Sequence, residues 1–173
     1  MLGKMDYEIR KWKPEDAYAL SKILNNNKIT DNLRDGIPCP YTEVDALNYI
    51  TEMINSDPNK VFAFAVCCNG KLAGSIGIFR QDNIYYRSAE IGYYLSENYW
   101  NKGLATYAVK KACEYVFANS DIIRIFAEPF ARNSASRRVL SKTGFVYEGT
   151  MFSSAIKNGI VEDTVIYGLL KGV

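Results

Sequence analysis

The chain of 173 residues contains no histidine. That absence removes Ser-His and Cys-His nucleophilic catalysis and the commonest zinc ligand, so any general base has to be a carboxylate, a tyrosine or water. The four cysteines, at positions 39, 67, 68 and 113, have no metal-ligand spacing. Cys67 and Cys68 adjoin in an extended run and point to opposite faces, which suits reduced, mostly buried thiols and no metal site. No stretch of about 18 apolar residues is present to cross a bilayer, and Met1-Leu2-Gly3-Lys4-Met5-Asp6-Tyr7 lacks the apolar core of a signal peptide. A cytoplasmic protein without a membrane partner is expected.

What the chain does contain suits one domain, 1–173, able to bury its own core: apolar and charged fractions are 48% and 23%, values of a globule rather than a disordered or fibrous chain. Its net charge of +2 conceals a division. Between Asn101 and Lys142 stand eight basic and three acidic residues, a balance of +5, and the remaining thirteen basic and sixteen acidic residues give −3. Such a split serves an anionic ligand on one side and a cationic one on the other, or it is a solvated helix surface. The basic residues lack the interleaved aromatics of single-strand binders, so nucleic acid is not expected.

Tyr7-Glu8-Ile9-Arg10-Lys11-Trp12 alternates as an opening strand. Pro14 then sits in the first turn of a helix that carries Ala17, Leu20, Ile23 and Leu24 on one face. Residues 25–41 have no period and carry Gly36, Pro38 and Pro40, so a loop or broken helix is expected. Thr42 caps a second helix through Asn55. Val61–Cys68 reads as a strand, Asn69-Gly70 as a hairpin turn, Lys71–Phe79 as the returning strand and Tyr86–Leu95 as a third. A strand at Ile122–Ala127, a helix at Asn133–Lys142 ended by Gly144, and strands Phe145–Phe152 and Ile160–Leu170 joined at Lys157-Asn158-Gly159 complete the chain. The order β-α-α-β-β-β-α-β-α-β-β predicts an α+β fold around one mixed, mostly antiparallel sheet flanked by helices. The aromatics Tyr147, Phe152 and Tyr167 serve either the core or contact with a second copy in a homodimer.

The stretch from Tyr93 to Phe117 organises the rest. Alternation through Ala89, Ile91, Tyr93 and Leu95 gives way to helical spacing at Ala105, Ala108, Val109, Ala112, Cys113 and Val116. Between them, Gly103 and Ala105 let backbone N–H groups at the helix start approach a large anion. Neither the Gly-x-Gly-x-x-Gly of a dinucleotide fold nor the Gly-Lys-Ser/Thr of a nucleoside-triphosphate loop is present here, so a different pyrophosphate cradle is implied.

Trp100-Asn101-Lys102-Gly103-Leu104-Ala105 resembles motif A of the GNAT superfamily of acyl-CoA N-acyltransferases, Gln/Arg-x-x-Gly-x-Gly/Ala, with Trp100 at the usual Gln or Arg. Trp-x-Lys-Gly-x-Ala-Thr is similar to the branch that includes the ribosomal-protein N-terminal acetyltransferases, the RimJ/RimL-like group. The segment from Asn133 to Phe145 resembles the family's Asn-x-x-Ser-x-x-x-Leu-x-Lys-x-Gly-Phe helix, and Ala89-Glu90-Ile91-Gly92-Tyr93 its Glu-Ile-Gly-Tyr strand. The element order is also that of the GNAT fold.

The resemblance implies acetyl-CoA as co-substrate, held in a wedge between the strand of Glu90 and the strand Ile122–Ala127. Tyr94 and Leu95 would pair with its pantetheine arm. Lys102, Gly103, Leu104, Ala105 and Thr106 would hold the pyrophosphate, and Asn133 and Ser136 would contact the arm, Asn133 doubling as a helix cap. The acceptor would be an amine, either a protein N-terminus or a small molecule such as a polyamine, aminoglycoside or amino acid. Amine attack on a thioester needs a proton acceptor and an oxyanion donor. Glu90 is the expected base, through water; the other role for it is a structural glutamate paired with Arg87 or a lysine. A backbone N–H near Tyr94 or Leu95 is the expected oxyanion donor. Many members carry a tyrosine acid in the last helix where this chain has Leu140, and Ser141 or Tyr147 could assist the thiolate instead. Asp31, Asp35, Glu43 and Asp45 would suit a cationic acceptor. A non-catalytic acyl-CoA-binding module is the reading from another class.

Overall fold

Val61–Cys68 (β2) and Lys71–Arg80 (β3) bury side chains on both faces, so the hairpin they form lies in the middle of the molecule. Its turn needs two left-handed residues, and Asn69 (φ 49°) and Gly70 (φ 74°) supply them. Around this hairpin the computed structural model, which describes residues 5–172, builds a seven-stranded sheet in the order β1-β2-β3-β4-β5-β7-β6. The other strands are β1 (Tyr7–Arg10), β4 (Ser88–Leu95), β5 (Arg124–Ala127), β6 (Val146–Lys157) and β7 (Ile160–Leu170). Every neighbouring pair is antiparallel except β4 and β5.

The helices are α1 (Ala17–Leu24), α2 (Asn27–Thr30), α3 (Glu43–Asn55), α4 (Leu104–Asn119) and α5 (Ser134–Lys142). The expected order holds, with α2 as a single turn inside the aperiodic segment, capped by the Asn26 side chain accepting from the Lys28 N–H. Thr42 and Asp45 form a reciprocal capping box at the start of α3. β6 runs to Lys157, past the expected Phe152, because an irregular register between Met151 and Ala155, with Ser153 at φ 51°, bends the strand without ending it. β4 begins at Ser88 rather than Tyr86, since residues 83–85 form a short 3-10 turn.

The sheet separates two apolar layers. One lies under α4 and α5 and holds Cys68, Ile91, Val109, Leu140 and Tyr167; the other lies under α1 and α3 and holds Cys67, Leu20 and Ile50. The adjacent cysteines therefore do face opposite sides, and all four thiols are free. Tyr167 belongs to the core, whereas Phe152 is 80% exposed. Among the described residues no helix is long and apolar enough to cross a membrane.

Candidate active site

β4 and β5 pair only at Ser88 with Arg124, Ala89 with Ile125 and Glu90 with Phe126. β4 then continues to Leu95 while β5 ends at Ala127, so the sheet splits. The split opens into a cavity of about 740 Å³ bounded by the end of β4, the start of α4, α5 and the α2 segment. Ser96 N–H donates to Ala73 C=O at 2.7 Å on the β3 side, which fixes the phase of the ladder. Alternation then pairs Tyr94 with Ser75 and turns the backbone of Tyr93 and Leu95 toward the gap left by β5. Tyr94 reaches the cavity with its side chain instead. Of the two expected positions, Leu95 thus turns its N–H to the gap, its carbonyl being taken by the Trp100 indole, and it is joined by Tyr93, which the sequence does not mark because alternation alone leaves the ladder phase open.

Gly103 is the N-cap of α4 at φ 81°, preceded by Asn101 at φ 58°, and no side chain caps the helix. The first bond back into the helix is Tyr107 N–H to Gly103 C=O at 3.0 Å. The N–H groups of Leu104, Ala105 and Thr106 therefore lack helical acceptors, and these residues with Gly103 line the cavity. Helix dipole and free donors together favour an anion there. Lys102 is not part of the wall: its Nζ donates to Asn98 C=O at 2.8 Å, and its own carbonyl accepts from the Tyr7 hydroxyl. Trp100 braces the loop by donating its indole N–H to Leu95 C=O at 2.9 Å, a role open to this side chain at the position where the motif has Gln or Arg.

Lys28, Arg132, Arg138 and Lys142 line the cavity with one carboxylate, Asp31; Lys28 is paired with Glu97 and Arg132 with Glu162, which leaves Arg138 and Lys142 as the cations of α5 that face the cavity without an ion-pair partner among the described residues. Arg138 and Lys142 stand at i and i+4 on α5; Lys142 is at the lysine of the resembling motif, Arg138 is legible in the sequence only as charge, and their four-residue spacing is the signal for a shared face. The Asn133 side chain caps α5 by accepting from Ser136 N–H at 3.1 Å, and both residues line the cavity. The Tyr93 hydroxyl lies 2.9 Å from Ser136 Oγ. Burial raises the Tyr93 and Tyr94 hydroxyls well above the ordinary tyrosine range, so both stay neutral.

Glu90 stands on the α3 side of β4, in line with Gly92 and Tyr94. Its partner is neither Arg87 nor a lysine but Arg34, from the segment after α2, which forms a two-pronged ion pair with it and lies 3.5 Å from Glu128. Arg87 donates to Asp121 C=O at 2.8 Å. Burial lifts the Glu90 carboxyl above its ordinary value, Arg34 opposes that by charge and hydrogen bonding, and Glu128 adds to it. Gly92 is exposed, and a Cβ there would meet nothing within 4 Å, so an open floor runs from Glu90 toward the cavity wall at Tyr94.

Ser141 and Tyr147 do not line the cavity. Ser141 Oγ donates to Arg137 C=O at 3.1 Å, and the Tyr147 hydroxyl bonds Thr150 Oγ1 at 2.7 Å. Three of the four acidic residues expected to suit a cationic acceptor are engaged: Asp31 accepts from Asn158 at 2.9 Å, Asp35 from Lys157 at 2.7 Å, and Asp45 caps α3. Among the described residues no group of three or more His, Cys, Asp or Glu is placed to hold a metal ion.

A split sheet with a helix N-terminus at the mouth defines an acyltransferase of the GNAT class. Residues 7–146 match the acetyltransferase (GNAT) domain, and the chain belongs to that family of N-acetyltransferases, enzymes that move an acetyl group to an amine. It is 30% identical over 168 residues to the uncharacterized N-acetyltransferase p20 of Bacillus licheniformis, covering 94% of this chain and 92% of that protein. It is also 30% identical over 152 residues to the spermidine N(1)-acetyltransferase of Escherichia coli K12, covering 88% and 79%. The structure of RimL, a ribosomal L7/L12 alpha-N-protein acetyltransferase in complex with coenzyme A, shares the fold with a TM-score of 0.85 at 20% identity, covering 95% of this chain and 93% of that one.

Proposed function

We propose that the cavity binds acetyl-CoA and that the floor beside Glu90 receives the amine, a protein N-terminal α-amine or a small-molecule amine. The observation that carries this is the convergence on one cavity of the free N–H groups at Leu104–Thr106, the gap-facing backbone of Tyr93 and Leu95, and the basic side chains of Arg138 and Lys142, with the ion-paired Lys28 and Arg132 beside them. That set fits an elongated polyanion with an amide-bearing arm: the helix start and the cations take phosphates, and the backbone of β4 takes the arm.

The amine nitrogen, once neutral, attacks the thioester carbonyl; the C–N bond forms, the C–S bond breaks, the sulfur leaves as a thiolate with that electron pair, and the proton that the nitrogen loses on becoming an amide goes through water to the thiolate. Glu90 accepts the ammonium proton through water; burial raises its carboxyl and Arg34, by charge and hydrogen bonding, opposes that rise. Leu95 N–H, turned to the gap, is the donor for the oxyanion. Ser141 and Tyr147 serve the fold in this scheme, because their hydroxyls bond elsewhere and a thiolate leaves without much assistance.

Thiol release from acetyl-CoA with short peptides, polyamines, aminoglycosides and amino acids tests this. Turnover with one class establishes the reaction and picks the acceptor. Acetyl-CoA binding without turnover for any amine favours a binding module, and no binding removes the proposal.

A further inference from the structure

The segment after α2 crosses the mouth of the site, packed by Leu33 and Ile37 on the layer under α1 and α3 and tied down by polar contacts. Arg132 donates to Asn32 Oδ1 and Asp31 C=O, each at 2.7 Å, and Lys157 reaches Asp35 at 2.7 Å. Between these anchors stands Arg34, whose side chain is 70% exposed yet lays its guanidinium on Glu90 and near Glu128. Because the anchors hold the backbone on both sides of it, Arg34 can let go without the segment opening.

We infer that Arg34 is an internal stand-in for the acceptor's ammonium group, occupying Glu90 and Glu128 in the free enzyme and yielding them to a primary alkylammonium acceptor. The inference rests on the acetyl-transfer reading of the site. Three observations support it. First, the Arg34 side chain is 70% exposed and Glu90 keeps 23% of its own side chain open, so another cation can reach the carboxylate from solvent. Second, the space beside Glu90 over Gly92 is open, so an incoming amine has room next to the guanidinium it replaces. Third, the nearby cations that could compete are committed: Arg80 to Asp121, Arg87 to Asp121 C=O, and Arg124 to Glu148. On the flanking strands the residues level with Glu90 are Phe79 and Phe126, so Arg34 and Glu128 are the charged groups that face it. Arg34 thus favours the charged form of Glu90 while the site is empty and competes with the acceptor for it. It is a positioning residue that acts through Glu90.

The test compares wild type with Arg34→Ala and Arg34→Lys. Two quantities are read: the titration of the Glu90 carboxyl by carbon-13 NMR, assigned with Glu90→Gln, and the KM values for acetyl-CoA and for the amine that turns over. Arg34→Ala should move the Glu90 titration to higher pH and lower the amine KM by roughly two- to five-fold, the scale of an exposed ion pair, with the acetyl-CoA KM unchanged. Arg34→Lys should restore both. A purely structural tie would also move the Glu90 titration but would leave the amine KM in place, so the amine KM separates the two. An unmoved Glu90 titration, or an amine KM that stays or rises in Arg34→Ala, overturns the inference. Failure of every amine with wild type would instead overturn the acetyl-transfer reading, and the NMR titration would still decide whether Arg34 holds Glu90.

Discussion

The Tyr93 hydroxyl on β4 and Ser136 Oγ on α5 meet at 2.9 Å across the region where β4 and β5 have parted. This bond sets the distance between the strand that offers backbone to the gap and the helix that carries Asn133, Arg138 and Lys142. Tyr93→Phe keeps the ring in the core and removes the tie. It should cost about 1 kcal/mol in denaturant unfolding and raise the KM for acetyl-CoA more than it lowers kcat. An unchanged KM would show that the cleft width does not depend on this bond.

Gly103→Val tests the helix start. The position sits at φ 81°, where an L side chain costs about 1–2 kcal/mol, and the new atoms would stand at the cavity wall. Acetyl-CoA affinity, measured by calorimetry, should fall far more than global stability. Equal affinity would contradict a role for this turn in holding the anion.

Asp16 ties α1 to β1. It receives two hydrogen bonds from Arg10, at 2.7 and 2.8 Å, and one from Lys13 N–H at 3.0 Å, with only 10% of its side chain exposed. Burial works to raise its pKa, but these bonds outweigh burial and hold the carboxyl below its ordinary 3.8. A depressed carboxyl contributes stability above its unfolded value, lost as pH falls through the lower folded one, so the contribution should fade below about pH 4. Asp16→Ala should lose about 3 kcal/mol at neutral pH, since it strands Arg10, and its stability should vary less with pH in the acid range. Urea unfolding at pH 3 and 7 reads both.

Much of the fold was legible because local chemistry decided it. Asn69-Gly70 and Asn158-Gly159 can adopt the left-handed pairs their turns need, Thr42 and Asp45 cap each other three residues apart, and Gly103 marks the one left-handed cap at the cavity. Helix and strand order followed from those stops and from apolar period. The site was legible where backbone makes it, at Gly103–Thr106 and Leu95. It was not legible where side chains meet across long separations. Arg34 finds Glu90 over 56 residues, and no period on an exposed segment announces that. Ser141 and Tyr147 carry hydroxyls at plausible spacing, but one bonds back along its helix and the other to Thr150. Asp31 and Asp35 read as free acids and are tied to Asn158 and Lys157, two residues fixed only by the β6–β7 hairpin.

The pH dependence of acetyl transfer in wild type and Glu90→Gln tests the proposed chemistry most directly. Glu90 has to be ionised to take a proton, and burial lifts its pKa above the ordinary 4.5, so the wild-type kcat/KM should rise with pH through an acid limb above that value. Glu90→Gln should bind acetyl-CoA normally, lose that limb, and fall about a hundred- to ten-thousand-fold at neutral pH. A variant that keeps the wild-type rate and the same acid limb would remove Glu90 from the proton path.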